Sequence, residues 1–212
     1  MQPLKYRLRA SAIHLAISLS IATLAAWLVF GWWYPYPYRE LSGGRELFTL
    51  VVAVDVVLGP LITLVIFNAA KTRRHLLIDF SVIGLLQVAA LAYGLWTVFV
   101  ARPVHLVFEY NRMAVVHAVD IEPSLLSQAP PELQTLPWRG PTLLSLRPLQ
   151  GGEVIESVLQ AVGGIAQAAQ PNLWQPYDAA RADILRESRP AAQLKERFPQ
   201  HADTIDQTVA RT

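Results

Sequence analysis

The sequence predicts an α-helical membrane protein: three transmembrane helices followed by a small mixed α/β domain outside the membrane. Three observations carry this prediction. Residues 1–100 contain three long apolar runs joined by short polar links. Lysines and arginines gather at alternate ends of those runs. After residue 100 the chain turns polar, proline-rich and slightly acidic.

Composition bounds the function. Apolar residues make up 53% of the 212 residues and charged residues 16%. Residues 1–100 hold eight Lys/Arg against four Asp/Glu, and residues 101–212 hold ten against twelve. The basic half is the apolar half, which fits a membrane anchor with an exposed domain better than a nucleic-acid binder. The absence of cysteine excludes disulfide scaffolds, thiol catalysis and cysteine-based metal sites.

The first run is residues 11–33, preceded by Lys5, Arg7 and Arg9. About 20 apolar residues cross a bilayer. The run is longer than the apolar region of a signal peptide, and GWWYPYPY offers bulky residues where cleavage needs small ones. It therefore reads as an uncleaved anchor. Trp32, Trp33, Tyr34, Tyr36 and Tyr38 form an interfacial aromatic belt, and Pro35 and Pro37 end the helix. The second and third runs are residues 47–67 and 76–100. Lys71, Arg73 and Arg74 lie between them. Together with the basic N-terminus they predict a cytoplasmic N-terminus, with residues 101–212 on the opposite side.

Asp55 lies eight residues into the second run, ~12 Å along a helix. A carboxylate there costs about 2.5–3.5 kcal/mol on insertion scales, so it reads as neutral or hydrogen-bonded to another helix. Gly59 and Pro60 follow. In an α-helical register Pro60 removes the amide due to the carbonyl of Val56, predicting a kink with a freed acceptor. Asp55 is either internal glue for the bundle or a partner-recognition group. A proton pathway is the third reading, and one carboxylate makes no relay. Asp79 lies near the end of the third run, close to Arg74 and His75, and reads as a snorkelling acid. Gln87 is deeper and suits an interhelical hydrogen bond. Ala90 and Gly94 form a small-residue pair that permits close helix approach.

Beyond residue 100, alternation from Val104 to Tyr110 and a β-branched run from Met113 to Ile121 predict a hairpin turning at Asn111-Arg112. His105 and His117 face each other across it in that register, as satisfied or exposed histidines in place of metal ligands. Six prolines between 123 and 148 predict a loop or linker without regular structure. EVIESVLQAV places Val154, Ile155, Val158, Leu159 and Val162 on one helical face. Two short proline-opened helices follow, then a polar, fraying end. There is no phosphate loop, GxSxG, HExxH or paired catalytic carboxylates. The chain thus reads as no enzyme, with no cofactor and no metal.

The segments IHLAISLSIATLAAWLVFGWWYP, VDVVLGPLITLVIF and LIDFSVIGLLQVAALAYGLWTVFVARPVHLVFEYNR together resemble the type IV pilin accessory proteins of the TfpX/TfpZ kind, across residues 10–120. Asn111 stands where that family has an acidic residue before the arginine of the hairpin. The resemblance implies a multi-pass bacterial inner-membrane protein with a periplasmic C-terminal domain. It would assist assembly or surface display of a cognate major pilin in a chaperone-like, non-enzymatic way. The lipid bilayer and the pilin are the implied partners, with other pilus assembly proteins beside them. Asp55, Gly59, Pro60, Asp79 and Gln87 are the candidate partner-binding residues. The alternative, from a different class, is a small oligomeric membrane transporter or ion-coupled subunit.

Overall fold

The structure is a computed structural model that describes residues 4–67 and 72–211. Lys71, assigned above to the cytoplasmic link, lies outside the described residues. Three helices are long and apolar enough to cross a membrane: α1 (Leu4–Trp33), α2 (Gly44–Ile66) and α3 (Arg73–Val100). Each starts several residues before its apolar run, because basic and polar side chains extend a helix as readily as apolar ones. Thr72 caps α3, its hydroxyl accepting from the His75 amide at 3.4 Å.

Two π-helical turns interrupt the ladder. Val29–Trp33 closes α1, after which Tyr34 leaves helical geometry, as the following prolines require. Val54–Leu58 lies inside α2. In this wider register each carbonyl bonds the amide five residues on. The amide that Pro60 lacks is then the one due to Asp55. The freed acceptor is the carbonyl of Asp55, and the expectation of Val56 is corrected on that account.

The helices enclose an apolar cluster at the Trp33 end. Ala25, Val29, Trp33, Tyr34, Phe48 and Val98 form a buried cluster there. The Tyr34 hydroxyl donates to the Val98 carbonyl at 3.1 Å, and burial, opposed by nearby Arg102, pushes its pKa up to about 12. A Cβ on Gly94 would lie 2.7 Å from the Val51 methyls. The small residue therefore serves contact between α2 and α3 within one chain.

From α3 the chain passes into a four-stranded sheet of order β2-β1-β3-β4. Its strands are β1 (Pro103–Glu109), β2 (Arg112–His117), β3 (Thr142–Leu146) and β4 (Trp174–Pro176). β1 pairs antiparallel with β2 and parallel with β3. A parallel neighbour needs a long crossover, and the proline-rich stretch supplies it through short 3₁₀ turns. Its second half is not irregular, as expected above, but forms β3. The hairpin turns at Tyr110-Asn111 instead of Asn111-Arg112: Tyr110 takes φ 59°, and Arg112 pairs opposite Glu109 and donates to it at 2.8 Å.

His105 and His117 do not face each other. A register shift between Pro103 and His105 pairs His105 with Val116. His105 is buried, with Nδ1 2.7 Å from the Thr142 hydroxyl and its ring edge-on to Trp174. His117 turns instead to Asp120. The core holds Val104, Val107, Val116, Leu144, Leu173 and Trp174. Four helices complete this part: α4 (Glu153–Val162), α5 (Arg181–Glu187), α6 (Ala191–Arg197) and α7 (Ala202–Val209). α7 replaces the frayed end expected from its polarity.

The sheet is joined to the bundle by aromatic and cationic contacts. The Gly140 amide donates to the Trp32 carbonyl at 2.8 Å. Trp138 packs on Phe99 and Trp33. Arg102 donates to the Phe99 and Pro137 carbonyls and lies over the Phe99 ring. The cation thereby caps the carbonyl end of α3.

Candidate functional site: a polar notch in an intramembrane groove

Several polar residues of the three long helices converge at one level. Ser11 Oγ donates to the Pro60 carbonyl at 2.9 Å. His14 Nδ1 lies 2.5 Å from Thr63 Oγ1, and its Nε2 lies 2.7 Å from Gln87 Oε1. Gln87 Nε2 donates to the main-chain carbonyl of Asp55 at 3.3 Å. That last bond orients the whole chain. A carbonyl only accepts, so the Gln87 amide nitrogen must face it and the amide oxygen must face His14. The His14 Nε2 then carries hydrogen, and Nδ1 on the other side of the ring meets the Thr63 hydroxyl. One directional relay thus links α1, α2 and α3 and ends on the acceptor that Pro60 leaves open.

Gly59 is required by this arrangement. A Cβ there would collide with the Gln87 side-chain amide and lie 3.1 Å from His14 Nε2. The relay uses the Asp55 backbone and leaves its side chain over. Among the described residues neither carboxyl oxygen has a hydrogen-bond partner, although both are covered.

Asp55 lines a groove of about 650 Å³ between α1 and α3. Its walls run from Tyr6 and Arg9 to Ile21 on α1, ~22 Å at 1.5 Å per residue, and include Phe80, Gly84 and Leu91 on α3. They are apolar apart from Arg9 near the N-terminal end and a patch of His14, Ser18, Asp55 and Gln87. A second cavity of about 300 Å³ between α2 and α3 touches the other side of Asp55.

Of the five residues singled out in the sequence, four assemble here: Asp55, Gly59, Pro60 and Gln87. Asp79 stands apart, in a small gap lined by Thr63, Phe67 and Ile83. Sequence reasoning misses Ser11, His14, Ser18 and Thr63. A signal for three of them is present: Ser11, His14 and Ser18 fall at helical spacings of three and four and so share one face.

Comparisons with known proteins bear on the family. A family model described as fimbrial assembly protein FimB matches residues 2–43. The fimbrial assembly protein of serogroup I from Dichelobacter nodosus is 39% identical over 186 residues, covering 87% of this chain and 72% of the relative. The serogroup E1 protein of the same organism is 36% identical with the same coverage. The protein of serogroups C1 and C2 is 40% identical over 121 residues, 57% of this chain and 92% of the relative. The chain belongs to the fimbrial assembly protein family. This accords with the resemblance to pilin accessory proteins and gives the chain a role in fimbrial assembly. The stretch matched by the family model contains Ser11, His14 and Ser18, the α1 share of the notch. No solved structure matches the chain.

Proposed function

We propose that this fimbrial assembly protein holds the membrane helix of its cognate type IV pilin in the groove between α1 and α3 before the pilin joins the fimbria. The observation that carries the reading is an open-sided groove with the Asp55 carboxyl in its wall, without a partner among the described residues. In its neutral form the acid both donates and accepts, so it suits a helix with one polar group in an otherwise apolar surface. The groove's length, ~22 Å, covers most of a single spanning helix. In this reading the protein sits in the bacterial inner membrane with its N-terminus cytoplasmic. Residues 101–212 form a periplasmic domain, and the partnership is binding without turnover.

Three variants test it. Asp55→Asn keeps hydrogen bonding at similar size. Asp55→Leu inserts easily but leaves the pilin's polar group unpaired, at about 1–2 kcal/mol or roughly tenfold in binding. Gly84 lines the groove and a Cβ there meets nothing within 4 Å, so Gly84→Leu obstructs the groove without touching the bundle. Pilin co-purification falls in Asp55→Leu and in Gly84→Leu at unchanged protein level, and Asp55→Asn retains most of it. Wild-type capture by both leucine variants sinks the proposal. Equal failure of Asn and Leu at position 55 shifts the balance to the ion-coupled alternative.

A further inference from the structure

Helix α4 is mounted with its apolar face outward. Ser157 is buried, its hydroxyl accepting from Gln167 Nε2 at 3.1 Å and its carbonyl from Gln170 Nε2 at 3.0 Å. Val154, Ile155, Val158, Leu159 and Val162 are 45–82% exposed. The first turn is fixed by Arg147, which grips both Glu153 oxygens at 2.8 Å, while the Gln150 amide donates to the same carboxylate. These bonds, Arg147's foremost, hold the Glu153 pKa down to about 2. The helix is therefore displayed rigidly, with an uncovered stripe at the spacing of helix-in-groove anchors.

We infer that this stripe docks onto the water-exposed part of the same client whose membrane helix occupies the groove, at an apolar cleft rimmed by basic groups. The inference rests on the proposed function. Charge argues against lipid as the occupant: residues 153–162 contain no Lys or Arg and two glutamates, whereas interfacial helices carry basic polar faces. The polar link into β3 is tied to the Trp32 end of α1 through Gly140, and α4 follows the opposite end of that strand. Size argues against a freestanding complex with a second copy. Five such side chains present on the order of 500 Å² of apolar surface, short of the ≈800 Å² per partner of a stable interface. A small face suffices when the partner is already tethered, because the second contact then forms at an effective concentration on the order of millimolar. Glu156, beside the stripe and exposed, supplies the charge that a basic rim complements.

The test uses the full chain in nanodiscs and three probes: the full-length major pilin, its membrane helix as a peptide, and its water-soluble part. Ile155 and Leu159 are exposed, so the double variant Ile155→Glu/Leu159→Glu leaves the fold intact. The wild type binds full-length pilin at least about tenfold more tightly than the helix peptide, within the range that linkage supplies. The double variant binds full-length pilin only as well as the peptide, keeps its peptide affinity, and loses the weak binding of the soluble part. Equal affinity of the wild type for full-length pilin and peptide overturns the inference and leaves the groove reading standing. A double variant that loses self-association or vesicle binding at unchanged pilin affinity also overturns it, assigning the face to a second copy or to lipid. Failure of the wild type to bind the peptide removes the groove reading, and this inference with it.

Discussion

Two histidines show how far a residue's chemistry depends on what the fold places beside it. His14 and His105 are both flanked by apolar residues in the sequence. His14 is fully engaged, its two nitrogens held by Thr63 and Gln87. His105 has Thr142 on one nitrogen, and its buried Nε2 lacks a partner among the described residues. Burial pushes the His105 pKa down to about 4, against about 6.5 in an unfolded chain. The depressed value means that the unfolded state takes up a proton first as pH falls. Stability is therefore whole above about pH 6.5, declines between 6.5 and 4, and levels off below. The full difference is about 3 kcal/mol, at roughly 1.4 per unit. In the intact protein, hydrogen exchange of β1 and β3 amides accelerates on going from pH 7 to pH 5 after correction for intrinsic rates. His105→Gln, which does not titrate, flattens that change. An unaltered pH dependence in His105→Gln locates the acid sensitivity elsewhere. Asp55, Gly59, Pro60 and Gln87 were legible as single residues because each breaks the logic of an apolar run. Their connection was not, because the link from Gln87 to the Asp55 carbonyl depends on a π turn that no side-chain pattern announces.

At the scale of elements, the membrane helices were legible and their junctions only in part. Hydropathy fixes existence and approximate length, since a span must satisfy its backbone internally. The start of each helix is hidden because its first turns are polar. β3 is hidden because Pro137, Pro141 and Pro148 crowd TLLSL, and a strand bounded so closely reads as loop. In the structure Pro141 and Pro148 lie outside the strand, where a missing amide costs no ladder bond. The Ala90/Gly94 pair shows that a small-residue motif locates a close contact without naming its partner. Here Gly94 receives Val51 of the same chain. Gly94→Ile therefore drives a branched side chain into Val51 and separates α2 from α3, at about 1–3 kcal/mol for overpacking. Reduced steady-state level and faster proteolysis of the intact protein report this. The second, milder change Val51→Ala in the same chain restores part of the loss by giving back volume. A Gly94→Ile protein as abundant and protease-resistant as wild type contradicts the packing described for α2 and α3.

For the whole molecule the governing quantity is the side of the membrane on which each polar part lies. Three helices are of spanning length, and in the proposed reading they put the N-terminus and the sheet on opposite faces of the membrane. The basic residues choose which face. Lys5, Arg7 and Arg9 flank the start of α1, and Arg73 and Arg74 begin α3. Between α1 and α2 stand only Arg39 and Arg45, and Glu40 is paired with both. Lysine and arginine are retained on the cytoplasmic side and acids count for little in that bias. The asymmetry therefore runs from six basic residues on one side, Lys71 included, to four on the other, with Arg102 and Arg112 after α3 among them. Arg102 and Arg139 follow α3 but lie over the Phe99 and Trp32 rings, where they brace the sheet against the helix ends. Alkaline phosphatase fused after residue 120 is expected to be active, and a cytoplasmically maturing fluorescent protein at the same point dark. Fusions within 68–72 give the opposite pair of results. Replacing Arg73 and Arg74 by glutamine weakens the bias without altering a single described packing contact, so a mixed population of both orientations is expected from that variant. The reverse pattern at the two fusion points signals failure of the first or the second span. In either case the groove between α1 and α3 does not form in the membrane.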